Sequence, residues 1–205
     1  GRDNFFDPRL WYSSVFPYAA DGALAVANAV TTLAASIYRT RAKVIVVDAD
    51  NTLWGGVIGE DGINGIALGQ EYPGRAFVDF QKRLLSLQQR GFILALCSKN
   101  NPDDLNEVLL NHPHQLLKNE HFAAQRVNWQ PKPDNLRAIA EELNLGLDSF
   151  IFVDDSDYEC SAVKHSLPEV DVIQVPARAT EIPSCLDALA RLEIVSLTAE
   201  DLQKT

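Results

Sequence analysis

Val44-Ile45-Val46-Val47-Asp48-Ala49-Asp50-Asn51-Thr52 is the stretch on which the fold turns. An unbroken run of β-branched residues reads as a parallel strand buried on both faces, and it stops at a carboxylate cluster. Two later runs repeat the pattern. Phe92-Ile93-Leu94-Ala95-Leu96-Cys97 ends in Ser98-Lys99-Asn100-Asn101, and Phe150-Ile151-Phe152-Val153 ends in Asp154-Asp155. Helical periodicity separates the runs, over about 74–90 with Gly91 as the stop, 102–110, and 133–144 with Leu136, Ile139, Ala140 and Leu143 on one face. Strands alternating with helices predict an α/β fold with a doubly wound parallel sheet. Ligands in such sheets sit outside the carboxyl ends of the strands, so the three polar clusters are expected to meet in space.

Outward from this centre, the segment from about Gly22 to Arg39 reads as a helix with Asp21 as its N-cap, preceded by an aromatic, surface-hugging lead-in from Phe5 to Tyr18. Between Trp54 and Gly69, glycines 55, 56, 59, 62 and 65 punctuate short apolar pieces and predict a small flap. Short strands are expected at 115–117 and 170–175, and a helix at 159–165. The expected organisation is a lead-in and helix over 1–40, a catalytic domain over 41–195 and a tail over 196–205, with minimal or no cap.

The bulk composition narrows the classes. With 46% hydrophobic and 22% charged residues the 205-residue chain has the makeup of a globular domain, and no apolar run is long enough to span a bilayer. A formal net charge of -10 argues against nucleic acid, which requires clustered Lys and Arg. Cys97, Cys160 and Cys185 form no CxxC pair and no even framework, so reduced thiols and a cytoplasmic location are expected; Cys160 and Cys185 fall in predicted helices. The four histidines lack metal-ligand spacing. With no Met anywhere and a start at Gly1-Arg2-Asp3, the sequence reads as a domain of something larger.

The DxDxT pattern at Asp48, Asp50 and Thr52, directly after a buried strand, resembles that of the haloacid dehalogenase (HAD) superfamily, whose members mostly cleave phosphate esters through an aspartyl-phosphate. An isolated pair of aspartates more commonly ends a strand in a solvated turn. Here the rest of the superfamily pattern follows in order, with Ser98, Lys132 and then Asp154 and Asp155. The resemblance implies that Asp48 attacks phosphorus and Asp50 acts as acid and base. Ser98 and Lys132 would stabilise the transferring charge, and Thr52, Lys99 and Asn100 would line the substrate and phosphate site. Asp48, Asp50, Asp154 and Asp155 would hold Mg2+, a hard cation suited to oxygen ligands.

Longer stretches resemble a narrower group. Asp50–Gly62, Cys97–Asn101, Asn128–Arg137 and Leu143–Asp155 look like the FkbH-like family of polyketide assembly, which removes phosphate from 1,3-bisphosphoglycerate and loads a glyceryl group onto an acyl carrier protein bearing a phosphopantetheine arm. That resemblance implies a catalytic Cys97 carrying the acyl group as a thioester, within a larger polyketide synthase. Taken alone, Cys97 also fits a small buried hydrophobe. It and Ser98 would face opposite ways unless the strand turns at its end. One departure is Ser156 to Glu159, where the family more often has Asn-Pro. A plain magnesium-dependent phosphatase with an inert Cys97 is the rival reading, and a non-catalytic carrier-docking domain the third.

Overall fold

The computed structural model describes residues 5–38, 42–187 and 189–192; the tail expected over 196–205 lies outside them. The chain divides into two compact units, residues 41–188 and residues 1–40 with 189–205.

The larger unit is a five-stranded sheet, all parallel: β1 (Val44–Val47), β2 (Ile93–Ser98), β3 (Phe122–Val127), β4 (Phe150–Asp154) and β5 (Asp171–Gln174), in the spatial order β3-β2-β1-β4-β5. Every residue of β1 is fully buried, as its position at the centre of the sheet requires. The chain builds outward from β1 to β2 and β3, then crosses back to lay β4 on the other side, so the strand order reverses at β1. That reversal opens a crevice at its carboxyl end.

The connecting helices of this unit are α4 (Gly74–Gln89), α5 (Pro102–Asn111), α6 (Lys132–Leu143) and α7 (Asp157–Ser166); α3 (Ile58–Asp61) is a single turn within the flap. Helices α6 and α7 pack on each other and on one sheet face. Between them and the sheet lies a core of Val44, Val46, Ala95, Cys97, Phe150, Phe152, Leu136, Ile139 and Val163. Helix α4 buries Phe77, Phe80, Leu84 and Leu87, an i, i+3, i+7, i+10 stripe that explains its orientation. Gly91, at a φ of 94°, supplies the left-handed turn into β2.

The structure departs from the sequence reading at several points. Residues 115–117 form no strand. Their backbone is satisfied by a side chain: buried Gln81 accepts from Leu116 N and Leu117 N, and donates to Leu53 O and Gln115 Oε1. The strand on that side is instead β3, and strand β5 is shorter than expected. Helix α7 starts two residues before its expected onset, capped by Ser156, whose Oγ accepts from Glu159 N. Cys185 lies in a turn after a 3-10 segment, Ala179–Ser184, and not in an α-helix.

In the smaller unit the lead-in contains an unanticipated helix, α1 (Pro8–Ser14). Asp7 caps it by accepting from Arg9 N, with Pro8 at its first position. Helix α2 (Ala20–Tyr38) begins before Asp21, which therefore lies in its first turn and is not its N-cap.

Candidate active site

Strand register assembles the site. Val47 pairs with both Leu96 and Val153, so the next residues, Cys97, Asp48 and Asp154, form one row across the sheet. Side chains alternate along strands. Val46, Ala95 and Phe152 face α6 and α7, and the row two residues on faces the same way. Lys132, the first residue of α6, enters from that side. Its Nζ lies 2.8 Å from Asp48 Oδ1 and donates to Asp154 Oδ2, with Lys132 itself only 3% exposed.

Asp48, Asp154 and Asp155 each bring a carboxylate oxygen within 4.8 Å of the others. Lys132 cannot neutralise three acids. Burial, then the Asp48 and Asp154 charges, push Asp155 up to about 6. Asp154 is also raised, burial and the Asp48 charge outweighing Lys132. Burial pulls Lys132 down, but the Asp48 and Asp154 charges and hydrogen bonds win and hold it above its ordinary value, so it stays an ammonium.

The residues fit a hard divalent cation. Asp48 Oδ1 is buried, and beyond the Lys132 ammonium 2.8 Å away it has no polar partner among the described residues. Asp154 has little to spare, since Oδ1 accepts from Ser156 N and Oδ2 from Lys132. Half-buried Asp155 stands as the more available of the pair. An all-oxygen donor set with excess negative charge suits magnesium.

The Asp50 carboxylate is outside this cluster. Its Oδ1 accepts from Trp54 Nε1 at 2.9 Å and Ile58 N at 3.0 Å, and its Oδ2 from Asn100 Nδ2 at 2.9 Å. These bonds hold the Asp50 carboxylate in place, apart from the three acids expected with it around Mg2+. Burial raises its pKa above the ordinary carboxylate value, which suits a proton carrier. The intervening turn is built for this. Asn51 takes a left-handed φ of 52°, which Asn tolerates, and its Oδ1 accepts from Gly56 N.

Of the remaining expected residues, Asn100 reaches Asp50, while Lys99 is tied to Glu159 of α7 at 2.6 Å. Thr52 is fully buried with Oγ1 unpartnered, leaving a hydroxyl available. Ser98 is buried and pairs with Val127, so β2 stays regular to its end. Cys97 and Ser98 therefore face opposite sides of the sheet. The Cys97 thiol is enclosed, fully buried in the core under α6, and burial pushes it up to about 12 against the helping charge of Lys132. In this arrangement it is a thiol with no open face. In the flap, Asp61 Oδ2 accepts from Val57 N, Glu60 is exposed, and neither is a member of the carboxylate cluster.

Two partners were not anticipated from sequence. Trp54, at the start of the glycine-rich flap, holds Asp50 through its indole N–H. Glu159 lay in the stretch that departs from the family pattern, and its i+3 spacing from Ser156 is the capping-box signature that marks it.

No family model and no curated protein matches the chain significantly. Among solved structures, the N-terminal part of the protein BF1531 from Bacteroides fragilis, containing a phosphatase domain and complexed with Mg, is 33% identical with a TM-score of 0.86. The match covers 96% of this chain and 53% of that one, so the chain spans about half its length. A HAD family enzyme, bt-2542 from Bacteroides thetaiotaomicron, in complex with magnesium and inorganic phosphate, matches at 17% identity and a TM-score of 0.47, covering 66% of this chain and 95% of that one. A HAD-superfamily hydrolase from Geobacter sulfurreducens PCA matches at 15% and 0.48, covering 69% and 97%. The chain has an α/β fold with a five-stranded parallel sheet in the order β3-β2-β1-β4-β5, and shares its fold with that Bacteroides fragilis structure.

Proposed function

We propose that this chain is a magnesium-dependent phosphatase of small-molecule phosphate monoesters, working through an aspartyl-phosphate on Asp48. The observation that carries the reading is the buried Asp48–Lys132–Asp154 arrangement beside Asp155, at the carboxyl end of the central strand. Asp48, Asp154 and Asp155 would hold Mg2+, which when bound offsets phosphate charge and polarises phosphorus. A carboxylate oxygen of Asp48 attacks phosphorus as the ester P–O bond breaks. The departing oxygen takes its proton from Asp50, which Trp54, Ile58 N and Asn100 hold in place. Asp50 then removes a proton from water, which attacks phosphorus and releases Asp48. Lys132, 2.8 Å from Asp48 Oδ1, orients Asp48 throughout. The Mg-complexed phosphatase domain of the Bacteroides fragilis neighbour supports this assignment.

The test is phosphate release from an ester panel, with magnesium or with EDTA. Asp48→Asn should lower turnover by at least about 1,000-fold, and loss of less than tenfold would refute the nucleophile. The narrower expectation, glyceryl transfer from 1,3-bisphosphoglycerate to an acyl carrier protein, also needs a reactive Cys97. The enclosed thiol lends that step no support. Intact-mass analysis after incubation with 1,3-bisphosphoglycerate decides between the two. The phosphatase reading expects no glyceryl adduct; an adduct lost in Cys97→Ala would establish transfer.

A further inference from the structure

A pocket of about 640 Å³ adjoins the carboxylate cluster, with Asp155 and Asn51 in its lining. This lies within the 300–1,000 Å³ typical of small-molecule sites. One side is formed by the flap, with Gly55, Gly56 and Ala67, and by Pro73 and Phe77 at the start of α4. The other is the chain after β5, from Val175 to Ile182. Gly55 is required there: a Cβ at this position would sit 2.8 Å from Phe77 Cε2 and 3.2 Å from the Ala67 Cβ. The flap and the phenyl ring thus meet as a closed apolar wall.

The chemistry of the lining is one-sided. It contains no Lys, Arg or His among the described residues, and its one charged side chain is Asp155. The amides are partly committed, Asn51 Oδ1 to Gly56 N and Gln174 Nε2 to Asp155 O. A second anionic group on a substrate would find no cationic side chain in this pocket. Desolvating an anion without a partner is strongly unfavourable, whereas the apolar walls favour an uncharged group.

Resting on the phosphatase reading, the geometry points to a substrate class: phosphate monoesters whose leaving group is uncharged and predominantly apolar, of aromatic-ring size or larger, seated in this pocket while the phosphate lies at Asp48. Phe77, Pro73, Val175 and Ile182 supply the contact surface, and the lack of a cationic side chain disfavours acidic leaving groups.

The experiment compares kcat/KM for 1-naphthyl phosphate and 3-phosphoglycerate with saturating magnesium. The proposal expects the naphthyl ester to be preferred by at least about tenfold, the order of discrimination that apolar burial provides. Ala177 and Gln174 line the pocket at exposed positions, so substitution there spares the core. Ala177→Trp should fill the pocket and collapse the preference at least about tenfold, mainly through KM for the naphthyl ester. Gln174→Arg should shift preference toward 3-phosphoglycerate. A wild-type preference for 3-phosphoglycerate, or a ratio indifferent to both substitutions, overturns the proposal while leaving the phosphatase reading intact. Hydrolysis of neither ester counts against the phosphatase reading, and the pocket is then judged by calorimetric titration with 1-naphthol. Saturable binding weakened in Ala177→Trp sustains it, and no binding overturns it.

Discussion

Replacing Lys132 with Met removes the one cation inside the carboxylate cluster and keeps the aliphatic length. At 2.8 Å from Asp48 Oδ1, Coulomb attraction at an effective dielectric of 20 is about 6 kcal/mol. Desolvating the ammonium offsets several kcal/mol of that. Removal nonetheless leaves Asp48 and Asp154, both nearly inaccessible to solvent, facing each other unpaired. The net loss expected is about 3–5 kcal/mol, the usual cost of breaking a buried pair from one side. That is a large share of the roughly 5–15 kcal/mol holding a domain together. Urea unfolding in EDTA measures it. With saturating magnesium the deficit should shrink, because a cation in the cluster takes over the neutralisation and stabilises the fold by mass action. A loss below about 1 kcal/mol in EDTA, with an unchanged m value, would show that Lys132 does not serve as the counter-charge.

Thiol reactivity tests the enclosure of Cys97. Since its folded pKa is pushed up to about 12, the group stays a protonated thiol at every pH below that. Raising pH from neutral to mildly alkaline should accelerate alkylation of the unfolded chain but not of native Cys97. Partly exposed Cys185 should be the first modified, as read by peptide mass analysis, and early labelling of Cys97 would refute the enclosure. Gln81→Leu should cost about 2–4 kcal/mol in unfolding free energy. It removes hydrogen bonds to Leu53 O, Gln115 Oε1, Leu116 N and Leu117 N inside the core; a loss under about 1 kcal/mol would mean those groups find other partners.

Much of this architecture is legible in the sequence because the central strands are buried on both faces. β1, β2 and β4 read as continuous apolar runs, and their expected and observed limits agree within a residue. β3 escaped notice because its position at the sheet edge lets Gln125 and Arg126 remain half-buried, breaking the run. The apolar pair Leu116-Leu117 imitated a strand because no sequence pattern reveals that a glutamine thirty-five residues earlier satisfies its backbone. Helix α1 did leave a signal, Asp7 followed by Pro8, which aromatic content obscured. At the site, the DxDxT spacing marked Asp48 and Asp50 but not their separate surroundings. Asp48 and Asp50 are two apart, yet the left-handed Asn51 and the flap carry Asp50 to a different set of partners.

The position of Cys97 shows how register limits chemistry. It stands level with Asp48 and Asp154, next to the groups an acyl-transfer step would use, and a flat list of residues would place it in the site. Its cover sets it apart. The row faces α6, and Asp48 and Asp154 are reached there by Lys132, whereas Cys97 is covered by the α6 core. The pairing of β2 with β3 continues through Ser98 and Val127, so no break in the strand turns the thiol outward. The row that sets two carboxylates against one lysine thus encloses the thiol beside them. Phosphoryl transfer draws on the carboxylates at the strand ends, and acyl transfer would need the buried thiol to become accessible.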